Sequence, residues 1–152
     1  MPLGIETFVD CNSLDEILVR TLSLLGKQVT MGKEVHYVAG VISSDGDAHI
    51  ERNMQELLRH RSTIAQELGE KALVFTSPDI FTPALLAQLN VFSLPKEVRE
   101  QGFRAFWDGV ISSGLVSHVH FTFGWERSKG AQFEHEAVQK LGVGVTYLPG
   151  DA

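Results

Sequence analysis

Four short apolar runs, each followed or preceded by a helical stretch, constrain this chain more than any other feature of it. Val35–Ile42 (VHYVAGVI) is β-branched and aromatic and reads as a buried strand; Ala72–Thr76 (ALVFT), Leu115–Phe123 and Val143–Leu148 (VGVTYL) read as three more. Between them lie helical patterns. One at 48–68 carries Ile50, Met54, Leu57, Leu58 and Ile64 as its stripe and stops at Gly69. A short one at 83–90 and a longer one at 95–113, with Phe103, Phe106, Trp107 and Val110, fill the second gap, and 130–141 fills the third. Strands that alternate with helices predict an α/β domain: a parallel sheet of four to five strands with helices on both faces. Before the first strand, Ser13-Leu14-Asp15-Glu16 is a capping box, and Ile17, Leu18, Leu22 and Leu25 follow at helical spacing up to Gly26. This gives an N-terminal helical extension, 1–32, ahead of the main domain, 33–152.

The remaining composition narrows the function classes. A net charge of −6 argues against an extended nucleic-acid footprint, while leaving room for a local basic pocket. Cys11 is the only cysteine, which excludes an intrachain disulfide. No basic segment with an apolar core opens the chain and no apolar run approaches the length of a membrane span, so a cytoplasmic location without membrane contact is expected. Six histidines are present, none in a recognised ligand spacing, although His118 and His120 alternate along the third strand. No metal and no cofactor is called for.

In a parallel sheet of this kind ligands bind at the carboxyl ends of the strands, beside helix N-termini. Two segments occupy such places here, the loop 42–49 and the loop 124–130. In the second, Ser128-Lys129-Gly130 opens the last helix: serine is a strong N-cap, free amides there bind anions, and glycine lets a ligand approach the backbone. Along that helix Phe133, Ala137 and Leu141 are spaced to face the sheet, with Glu134 and Val138 on the adjoining flank. Glu134 is therefore a carboxylate near a helix N-terminus, where it is expected to stay ionised, as a nucleophile should. The alternative is that it caps amides or meets an arginine. Trp125 either stacks on a base or packs over the sheet edge.

Tyr37-Val38-Ala39-Gly40, Asn53 in the following helix, and the string Gly124-Trp125-Glu126-x-Ser128-Lys129-Gly130-Ala131-x-x-Glu134-x-Glu136 resemble the nucleoside 2-deoxyribosyltransferase-like superfamily, over about residues 35–148. The resemblance implies a flavodoxin-like sheet and a homodimer or higher homo-oligomer. It also implies a small-molecule nucleoside or nucleotide as ligand. By the same resemblance Glu134 is the nucleophile that attacks the anomeric carbon, with Ser128, Lys129 and Gly130 around a phosphate. Gly40, Ser43 and Ser44 would then lie along the sugar. The chain departs from the pattern at Ser117-His118, where relatives carry an aspartate that handles the base. His118 is then either a substitute proton donor or a structural histidine, and Asp108 either a second carboxylate for the site or a solvated one. The function implied is cleavage of a nucleoside or nucleotide N-glycosidic bond, by hydrolysis or transfer. A non-catalytic nucleotide-binding module and an assembly subunit that docks through helix 13–25 are the competing expectations.

Overall fold

A computed structural model describes residues 8–42 and 46–150. Four strands form one parallel sheet in the order β2-β1-β3-β4: β1 Glu34–Ala39, β2 Ala72–Thr76, β3 His118–Phe121 and β4 Gly144–Tyr147. The register sets His36 opposite both Val74 and His118, and His118 opposite Gly144. The helices are α1 Leu14–Thr30, α2 Ile50–Leu68, α3 Ser77–Ile80, α4 Pro83–Leu89, α5 Lys96–Ser112 and α6 Lys129–Leu141. This is the expected α/β arrangement, with the strand order of a flavodoxin-like sheet.

Alternation along the strands divides the core into two layers. Val35, Tyr37 and Ala39 of β1, with Leu73, Phe75, Val119 and Phe121, face α1, α5 and α6 and build the larger layer. Val38 and Val74 face the other way, onto Leu57 and Ile64 of α2. Helix α1 was expected as an extension ahead of the domain, but Ile17 and Leu25 are fully buried in the larger layer. Leu14 and Leu18 lie where Gly102 and Gly109 of α5 leave room, with no side chain to hold the helices apart. Nor does α1 stop at Gly26. It runs on to Thr30, because Gly26 has open space around it and the closing bond is from the Met31 N–H to the Lys27 carbonyl.

Two further local features position the site. At the end of β1 a Cβ on Gly40 would lie 2.1 Å from Thr122 Oγ1, so only glycine lets β1 leave the sheet this close to β3. After β2 the chain turns at once into the short helix α3, with Pro78 in its first turn. There Thr76 and Asp79 make a capping box, and Arg61 of α2 holds Asp79 with two bonds of 3.2 and 2.9 Å. Desolvation raises the Asp79 carboxyl above its ordinary value, partly offset by the Thr76 N–H and by Arg61.

Candidate functional site

A cleft of about 910 Å³ runs between α5 and α6 to the carboxyl end of β1. That size is typical of a small-molecule site. It opens at the switch point of the sheet, where the connections leaving β1 and β3 pass to opposite faces. Tyr37 and Trp107 line it, their rings stacked at 4.5 Å, and Gly40 and Met54 line its far end.

Glu134 enters this cleft from α6. The helix face toward the core is not the one that spacing suggests. Phe133 and Leu141 are 42% and 52% exposed, whereas Ala131 and Val138 are buried. Phe133 instead packs toward α5, where the Arg104 guanidinium lies 3.6 Å from its ring centre. With the helix turned this way, Glu134 points inward. Its Oε2 is enclosed and has no hydrogen-bond partner, although part of the residue stays accessible.

Burial pushes the Glu134 carboxyl up to about 8, and the Tyr37 hydroxyl, which favours the ionised form, offsets only part of this. The expectation of an ionised carboxylate is thereby corrected. Glu134 lies beyond the first turn of α6, where the helix dipole has faded, and the loss of hydration prevails. At neutral pH the free site holds mainly the carboxylic acid. Burial, followed by the Glu134 charge and contact, drives the Tyr37 hydroxyl well above its ordinary value. Tyr37 is the site residue that single-residue reasoning passed over. Its signal was available, since a tyrosine on the core side of a central strand needs a partner for its hydroxyl.

Ser128, Lys129 and Gly130 line the cleft with Glu134. Ser128 is buried, and its Oγ accepts the Ala131 N–H as the N-cap of α6. Gly130 has nothing nearer than Ser128 Oγ, 3.7 Å from where a Cβ would sit, so this side of the cleft is open to a ligand. Asp108 of α5 lines the same cleft and is exposed. Asn53 donates to the Ile42 carbonyl at 2.9 Å and ties the start of the following loop to α2. Ser43 and Ser44 lie outside the described residues.

Two expected site residues are not brought to the cleft. His118 lies on the opposite face of the sheet from Tyr37 and Glu134, because its register partner is His36, and residues 36 and 37 point to opposite sides. There it meets Thr146, His36 and His120, and burial followed by the His36 charge lowers its imidazole from the ordinary value. It cannot hand a proton to a ligand on Glu134. Trp125 stacks on His135 at 4.3 Å and lies near Phe121 and Tyr147, and so packs over the sheet rather than lining the cleft. His135 Nε2 and the Tyr147 hydroxyl, 2.6 Å apart, close this aromatic cluster.

Among the described residues no helix is long and apolar enough to cross a membrane. No protein-family model, curated protein or solved structure matches this chain.

Proposed function

We propose that this protein is a nucleoside or nucleotide N-glycosidase or 2-deoxyribosyltransferase in which Glu134 is the nucleophile. The observation that carries the reading is one cleft holding an enclosed carboxyl, a tyrosine hydroxyl directed at it, and the open N-terminus of α6. In the reaction the Glu134 oxygen bonds to the anomeric carbon as the bond from that carbon to the base nitrogen breaks. The base leaves with a proton, and water or a second base then displaces the glutamyl ester. Of the two proton donors expected, Asp108 shares the cleft and His118 does not. Tyr37 positions and helps ionise Glu134. The α6 amides and Lys129 suit a phosphate on the sugar.

The test is release of free base from a panel of 2-deoxynucleosides and their 5′-monophosphates, followed chromatographically. Release by the native protein and none by Glu134→Gln is the expected result. No release at high protein concentration, or equal release by the variant, would overturn it. The absence of His118 from the cleft favours a second reading, a nucleotide-binding module without turnover. That reading predicts thermal stabilisation by a monophosphate with no base released. The proposal includes a homodimer, supported by exposed Phe92, Phe133 and Leu141 along the cleft. Light scattering that gives the monomer mass at all concentrations would remove that part.

A further inference from the structure

The sheet has two edges, and the fold closes only one of them. β2 is buried along its whole length. β4 ends the sheet on the other side, and among the described residues its only strand neighbour is β3. Val145 and Thr146 are half-buried there, and Tyr147 is 55% exposed. In a parallel pair each residue directs its N–H and C=O to one side, and successive residues alternate. The Gly144 N–H donates to the Ser117 carbonyl and the Leu148 N–H to the Phe121 carbonyl. Residues 144, 146 and 148 therefore face β3, and Val145 and Tyr147 turn both their backbone groups outward. Val143 does not join them as a donor, since its N–H bonds to the Val138 carbonyl at the end of α6. Beyond Leu148 the chain turns inward, with Gly150 against the Phe123 ring, and leaves the edge open.

A row of outward backbone donors and acceptors fits one class of occupant, another strand. Edges that stay unpaired are blunted with lysines, an internal proline or a bulge. Here residues 142–148 (GVGVTYL) contain neither a charge nor a proline, and β4 keeps an unbroken register with β3. Two copies of a chain with net charge −6 repel over most of their surface, and this uncharged strip is where they can approach. We propose that β4 pairs antiparallel with β4 of a second copy, joining the two sheets into one across a two-fold axis. The free groups fix the register. With the axis at Thr146, Val145 exchanges N–H···O bonds in both directions with the partner's Tyr147, and every outward group of these residues is satisfied. An axis at Val145 or at Tyr147 would instead use Val143, whose N–H is engaged, or Pro149, which has none. The register at Thr146 also sets the exposed Tyr147 ring beside the partner's Val145, an aromatic–β-branched pair on one face. Because β2 is closed, pairing stops at two copies and does not propagate as a fibre. This contact is separate from the cleft rim of Phe92, Phe133 and Leu141.

The experiment is sedimentation equilibrium of the full chain at rising concentration, for the native protein and for variants of Thr146, which faces its own symmetry mate. Thr146→Lys and Thr146→Glu each set like charges against one another across the axis and should halve the native mass. Mixing the two variants should restore it, since lysine then meets glutamate. Amide hydrogen exchange should find the Val145 and Tyr147 N–H groups protected in the native protein and unprotected in Thr146→Lys. Circular dichroism checks folding. Should the Thr146 variants fail to fold, Tyr147→Pro decides, because it removes an outward N–H and leaves the bonds to β3 intact; it too should halve the mass. A native protein that is monomeric at every concentration overturns the proposal. So does a mass that Thr146→Lys, Thr146→Glu and Tyr147→Pro all leave unchanged, since the copies then associate elsewhere, as at the cleft rim.

Discussion

Replacing Glu134 by glutamine removes the one acid in the cleft whose proton affinity the fold changes most, and the pH dependence of stability reads that change directly. The carboxyl titrates at about 8 when folded, against an ordinary 4.5 for the unfolded chain. Between these two values the folded state holds the proton that the unfolded state has released. Stability must therefore fall as pH rises through that window, be flat below about 4.5, and level off above about 8. At ~1.36 kcal/mol per pH unit, the group removes up to about 3 kcal/mol between pH 4 and pH 7, the accessible part of the side chain making this an upper figure. Glutamine keeps the shape and has no proton to release, so the native-minus-variant difference isolates this contribution. Urea denaturation of both proteins at half-unit steps from pH 4 to 9 measures it. The native protein should be most favoured relative to Glu134→Gln at the acid end and lose that advantage steadily up to about pH 8. Parallel curves between pH 5 and 8 would refute the reasoning, because Glu134 would then titrate as an ordinary surface carboxyl.

The other predictions address the same frame. Under the proposed reaction kcat/KM rises with pH and levels above about 8, as Glu134 loses its proton in the free protein; a profile that falls over this range contradicts a nucleophile. Tyr37→Phe should raise the Glu134 titration by about one unit, read from carboxyl carbon shifts or the pH–rate profile, since a hydrogen bond to an ionised group is worth ~1.5 kcal/mol or more. Gly40→Ala drives a methyl against Thr122 Oγ1 and should destabilise by about 1–3 kcal/mol, with partial recovery in the double variant with Thr122→Ala. Arg61→Met leaves the Asp79 carboxylate buried without its cation and should lower stability by roughly 3–5 kcal/mol in a denaturant melt, whereas Arg61→Met with Asp79→Asn should recover much of it.

The cleft was legible in part because its elements are local. Ser128 at an N-cap and Gly130 two residues on, within the first turn, are statements about neighbouring residues, and the structure places both on the cleft wall. The ends of α1 and the orientation of α6 were not legible, because several readings satisfy the same spacing. Phe133, Ala137 and Leu141 form an apolar row, but the row at Ala131, Glu134 and Val138 is the one turned inward. The reason is that α6 packs against α5, where Arg104 covers the Phe133 ring, and the sequence of α6 alone contains no trace of that neighbour.

By itself the sequence determined the alternation of strands and helices, and with it a parallel sheet, because the period of apolar residues changes with the element that buries them. It also determined that Glu134 and the α6 N-terminus lie on one connected segment. The tertiary structure alone decided what those residues are. Register put His118 on the far face with His36 and took it from the cleft, since each step along a strand reverses the side chain's direction. Packing of α6 over Tyr37 enclosed the Glu134 oxygen and turned an expected carboxylate into an acid at neutral pH. Burial and register are sums over residues distant in the chain, and no local pattern carries them.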